Sequence, residues 1–83
     1  MALPHKHPET HVLHCGWTDP RDRLNWHVRS YRDAAGVSMI AFRRSGGDAD
    51  LATINRFEID CDRLEDHQIA LLLDQAKRGR PQA

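Results

Sequence analysis

Four of the six histidines fall at His5, His7, His11 and His14, with Cys15 next in the chain. Imidazole and thiolate are good ligands for zinc and other transition metals. The spacing fits no paired C-x-x-C module, and in a strand His14 and Cys15 point to opposite faces, so they do not converge on one ion. Cys61 and His67 are too distant in the chain to complete a site by spacing alone. No metal site and no cofactor are therefore expected; a polar arm that picks up metal adventitiously fits better. Cys15 and Cys61 also raise thiol chemistry, which needs a base within reach and a lowered thiol pKa. Both fall on apolar strand faces, where cysteine behaves as a small hydrophobe. If their strands are neighbours, the two could form a disulfide, but the reducing compartment expected for the chain argues against it.

Asp60, Asp62, Glu65, Asp66 and His67 form an acidic cluster. Paired carboxylates split acid and base roles when burial moves their pKa values apart. At the start of a helix, solvated acids that favour the positive end of the helix dipole are the simpler reading. Ser45-Gly46-Gly47 lacks the glycine spacing and lysine of a phosphate loop. No catalytic residues are assigned, and the chain is expected not to be an enzyme.

A different chemistry is carried by His27, Arg29, Tyr31, Met39 and Arg43. An aromatic ring, two guanidinium groups and a methionine suit a protein interface. The same groups serve single-stranded nucleic acid on an open sheet, with Arg44 added. The bland alternative is a solvated face with its arginines paired to acids of the fourth strand, Glu58 and Asp60.

These residues share a face only if the hairpin register allows it. The stretch from Leu24 to Arg44 reads as two strands around a turn at Asp33-Ala34-Ala35-Gly36. A four-residue loop pairs Arg32 with Val37 and mixes apolar and polar residues on both faces. A three-residue loop, Ala34-Ala35-Gly36 with Gly36 left-handed, sets Val28 opposite Phe42, Ser30 opposite Ile40 and Trp26 near Arg44. It puts Trp26, Val28, Ile40 and Phe42 inward, and His27, Arg29, Tyr31, Met39, Ala41 and Arg43 outward. The second register separates the faces and is the one expected, because a one-residue slip exchanges them.

The other elements follow in order. Residues 1–10, with two prolines and two histidines, read as a flexible arm. His11–Trp17 is a strand with Leu13, Cys15 and Trp17 on one side. Asp19-Pro20 begins a turn, and Ser45–Asp50 is a polar loop. Ile54–Cys61 reads as the fourth strand, with Phe57, Ile59 and Cys61 inward and Arg56, Glu58 and Asp60 outward. A helix lies within Asp62–Arg78. It is started by a capping box of Asp62 and Glu65, or begins later with Leu64 stapled to Ile69. Gly79 and Pro81 end it. Leu72, Ala76, Ile69 and Leu73 form its apolar stripe. Leu64 and Leu71 widen that stripe beyond one packing face, which marks them as possible dimer contacts.

The expected fold is α+β: a four-stranded antiparallel meander, β-β-β-β-α, with one C-terminal helix packed on one face of the sheet. The single domain spans 11–79, and 80–83 is a tail. In topology alone the order is similar to that of dimeric single-stranded-DNA-binding coactivators. Their basic, glycine-bearing motif before the last strand has no counterpart here, so no membership follows.

Eighty-three residues make a modest core, for which dimerisation is an attractive supplement. The zero net charge argues against a generic polyanion binder. It hides a block of +3 over 17–44, −6 over 45–76 and +3 over 77–83. Such blocks pair within the fold or between subunits. No apolar segment is long enough to span a membrane, so no membrane partner is expected. The composition points to a cytoplasmic protein with reduced thiols. The function expected is a small protein-interaction module, such as a regulator, inhibitor or accessory subunit. It would act as a homodimer or on a protein partner, with a nucleic-acid-binding module second and a small enzyme or metal-binding protein third.

Overall fold

A computed structural model describes residues 13–47 and 49–79 of the chain. Four strands, β1 (Leu13–Thr18), β2 (Asn25–Arg32), β3 (Ser38–Arg44) and β4 (Leu51–Ile54), form one sheet in the order β1-β2-β3-β4. All neighbours pair antiparallel, which makes the sheet a meander. A short 3-10 turn (Cys61–Arg63) leads into the helix α1 (Asp66–Arg78), which packs on one face.

The hairpin has the three-residue register. Val28 pairs with Phe42, Ser30 with Ile40 and Trp26 with Arg44. Asp33 organises the turn. Its backbone N–H donates to Val37 O at 3.0 Å, and its carboxylate accepts from the amides of Ala35 and Val37 at 2.9 Å each. Gly36 has φ +83°, the left-handed region that side chains with a Cβ resist. Period-two alternation then carries Trp26, Val28, Ile40 and Phe42 to the inner face, where all four are buried.

The helix supplies Ile69, Leu72, Leu73 and Ala76 against that wall. Trp26 meets Phe42 edge-on, with ring centroids 6.3 Å apart, and Lys77 from the helix and Arg44 from β3 each approach its ring to 5.7 Å. Cations over an indole face combine electrostatic attraction with burial of their aliphatic stems. They close the open end of the core.

The fourth strand differs from expectation. It is Leu51–Ile54, and 54–61 is not a strand. Asn55 ends it. This residue is fully buried and its side chain makes three hydrogen bonds: Nδ2 donates to Ile59 O at 2.6 Å, and Oδ1 accepts from the amides of Phe57 and Glu58 at 3.1 Å. Asparagine offers the backbone such local partners in place of a ladder. Glu58 takes φ +58°, which no strand contains.

The helix also starts later than Asp62. Its N-cap is Glu65, whose side chain and that of Gln68 form the reciprocal capping box. Leu64 just before the cap and Ile69 in the first turn are both buried in the core, in the positions of a hydrophobic staple. Of the two leucines expected as dimer contacts, Leu64, 8% exposed, is buried in this chain's own core, whereas Leu71 is 42% exposed. The proposed arm and tail, with His5, His7 and His11, lie outside the described residues.

Candidate functional site

The outer sheet face is built in rows fixed by register. Cross-strand pairing sets His27 beside Arg43, Arg29 beside Ala41 and Ala52, and Tyr31 beside Met39 and Ile54. The five residues singled out by type, His27, Arg29, Tyr31, Met39 and Arg43, thus share one face of β2 and β3. This is the face turned away from α1.

The charges on this face are organised by Asp50, in the segment leading into β4. Arg29 Nη2 lies 3.3 Å from Asp50 Oδ2, and Arg43 Nε lies 3.7 Å from Oδ1. The Arg29 guanidinium also lies over the Tyr31 ring, 5.0 Å from its centroid. These long side chains border a shallow recess of about 40 Å³ floored by Ala41, which is 2% exposed although it sits on the outer face. Asp50 is thus an acidic partner shared by both arginines, where Glu58 and Asp60 were expected. Those two lie in the loop after β4, around a cleft of about 360 Å³ shared with Tyr31, Arg32 and Ser38.

Beside this charged half runs an apolar one. Tyr31 and Met39 are half-buried, and Ile54, next in the row, is 54% exposed. A strand over 54–61 would set Ile54 in a row with Arg56, Glu58 and Asp60; β4 instead sets it beside Met39. The four residues Leu51-Ala52-Thr53-Ile54 carry no apolar–polar alternation, and Asn55 alone marks where the strand stops.

A second surface flanks the helix. Pro20, Arg21, Asp66, His67, Ala70, Leu71 and Asp74 border a groove of about 410 Å³. Its polar rim is mostly engaged. Arg21 forks onto Asp19 (Nε–Oδ1 2.9 Å, Nη2–Oδ2 2.8 Å) and onto Asp74 (Nη1–Oδ2 2.9 Å, Nη2–Oδ1 3.1 Å). Asp66 accepts from Trp17 Nε1 at 3.0 Å. Hydrogen bonds from Arg21 hold both the Asp19 and Asp74 carboxyls below the ordinary carboxylate value.

The acidic cluster does not converge on a pocket. Asp60, Asp62, Glu65, Asp66 and His67 are all exposed along the 3-10 turn and the start of the helix, with His67 Nδ1 3.5 Å from Glu65. Among the described residues, no three His, Cys, Asp or Glu side chains gather as metal ligands would. Cys15 and Cys61 do meet. Cys61 is 2% exposed, and its Sγ lies 3.8 Å from Val28 O. Burial, and then a hydrogen bond with the Cys15 thiol, push its pKa up to about 12. Comparison with family models, with curated proteins and with solved structures finds no match.

Proposed function

We propose that this is a small, non-enzymatic protein-interaction module that joins a second copy of itself through the outer sheet face. The observation that carries the reading is the uncharged row Tyr31–Met39–Ile54, which crosses three strands and ends at an isoleucine 54% exposed. An apolar centre beside a polar rim is the anatomy of a protein interface. Tyrosine and methionine supply contact area at modest entropic cost. The rim here is His27, Arg29, Arg43 and Asp50. A second copy is the preferred occupant because so small a domain gains most from enlarging its core. A cytoplasmic setting suits two cysteines that are both thiols. Among the described residues, no helix is long and apolar enough to cross a membrane.

Nucleic acid is the weaker occupant. Arg29 and Arg43 share one carboxylate, and the aromatic ring needed for base stacking already carries a guanidinium.

Sedimentation equilibrium tests the reading. The full chain is expected at twice its 9.5 kDa mass, and Ile54→Lys is expected to return it to a folded monomer with a lower thermal midpoint, because the dimer's contribution is lost. A wild-type mass of 9.5 kDa at the highest soluble concentration refutes self-association. A dimer that Ile54→Lys leaves intact refutes this surface.

A further inference from the structure

On the opposite face of the sheet, Cys15 and Cys61 come together from distant parts of the chain. Cys15 is half-buried on β1 and pairs directly across the ladder with Val28. Cys61 opens the 3-10 turn and reaches the same residue, with its Sγ 3.8 Å from Val28 O. Cys15 packs at the margin of the core cluster that contains Cys61. We propose that Cys15 and Cys61 are a redox-active dithiol, which small disulfides of the glutathione type convert to an internal disulfide that fastens β1 to the turn before α1.

The two sulfurs are unequal in a way that suits sequential exchange. Cys15 lies at the core margin, where a small reagent reaches it. Cys61 is 2% exposed and, with its pKa pushed up to about 12, keeps its proton at neutral pH. The thiolate is the attacking species in exchange, so Cys15 reacts first. Its sulfur attacks one sulfur of the small disulfide. The Cys15–sulfur bond forms, the small S–S bond breaks, and one small thiol leaves with a proton. Cys61 then gives its proton to solvent, and its sulfur attacks that of Cys15, expelling the second small thiol. Two protein thiols are oxidised to one disulfide and the small disulfide is reduced to two thiols. The high pKa of Cys61 slows this second step in isolation, but the placing of both cysteines against Val28 raises its effective concentration.

The test incubates the full chain with oxidised glutathione, quenches in acid, alkylates the remaining thiols and maps the peptides. A cross-link within one chain between Cys15 and Cys61, of single-chain mass under denaturing conditions, is expected. It should form at a rate that urea below the unfolding transition does not raise, and with a higher thermal midpoint than the dithiol form. Cys61→Ser should accumulate the glutathione adduct at Cys15, whereas Cys15→Ser should be modified at Cys61 roughly tenfold more slowly or worse. Should either variant fail to fold, the wild-type map still decides. A wild-type chain that stops at the mixed disulfide, cross-links only between molecules, or closes its bond only as urea unfolds it overturns the proposal.

Discussion

The guanidinium of Arg21 spans two carboxylates, one from the turn after β1 and one from the helix, and the two contacts differ in worth. Asp74 is 38% exposed, so its share is screened and amounts to about 0–1 kcal/mol. Asp19 is 1% exposed and also orders the turn: its carboxylate accepts the Arg21 amide at 3.0 Å, and its amide donates to Leu24 O at 2.9 Å. Arg21→Met strands that carboxylate, and a loss of ~1–3 kcal/mol at neutral pH is expected. The sign of the pH dependence follows from the lowered pKa values. Groups that hold their protons less tightly folded than unfolded contribute fully above the ordinary carboxylate value, near about 4. That contribution fades as pH falls through the lowered folded values. The stability gap between wild type and Arg21→Met, measured by urea unfolding, should be widest at neutral pH and narrow steadily in acid. A constant gap would place the stabilisation outside these two carboxylates. No single residue type announces this junction in the sequence, because Asp19-Pro20 reads only as a turn and Asp74 only as a polar helix position.

Elements were legible where a repeating pattern was long enough to be forced. The hairpin register followed from requiring one apolar face over two strands of seven or more residues, and Gly36 supplied the left-handed turn that the register needs. The five candidate residues on its outer face were legible for the same reason. The fourth strand was not. Phe57, Ile59 and Cys61 alternate like a strand, yet they belong to an irregular segment whose hydrogen bonds go to one asparagine. β4 itself has only four residues, too few for periodicity to stand out. Gln75 of the helix donates to Thr53 at 3.1 Å and accepts from Arg56, so α1 grips the real strand directly. The role of Asn55 is testable. Asn55→Ala removes three side-chain hydrogen bonds, two of them from the part-buried Phe57 amide and Ile59 carbonyl, for an expected loss of ~1–3 kcal/mol in denaturant unfolding. Amide exchange at Phe57 and Glu58 should quicken more than at Val28 in the sheet centre. Equal acceleration at all three would mean that Asn55 supports the whole fold and not this segment.

At the scale of the molecule, the opposed charge blocks resolve largely into pairs across elements. Arg21 from the basic block meets Asp74 from the acidic one, and Arg29 and Arg43 meet Asp50. This internal neutralisation bears on what the outer face binds, because phosphate affinity depends on cations that release counterions on contact. With Asp50 between them, the charge of the two guanidinium groups is partly offset, and they are drawn toward a carboxylate instead of a phosphate. Asp50→Asn removes the shared anion without changing side-chain size. The wild-type protein is expected to show no salt-sensitive binding to a labelled single-stranded oligonucleotide by fluorescence anisotropy at low ionic strength. The Asp50→Asn variant is expected to gain weak binding that disappears as salt is raised. Binding already present in the wild type, and steep in salt, would show that the Asp50 pairs yield to phosphate. The outer face would then be a nucleic-acid surface with Ile54 at its margin. Absence of binding in both proteins, together with a dimer that Ile54→Lys dissociates, would assign the face to protein contact, with Asp50 keeping polyanions off the rim around its apolar row.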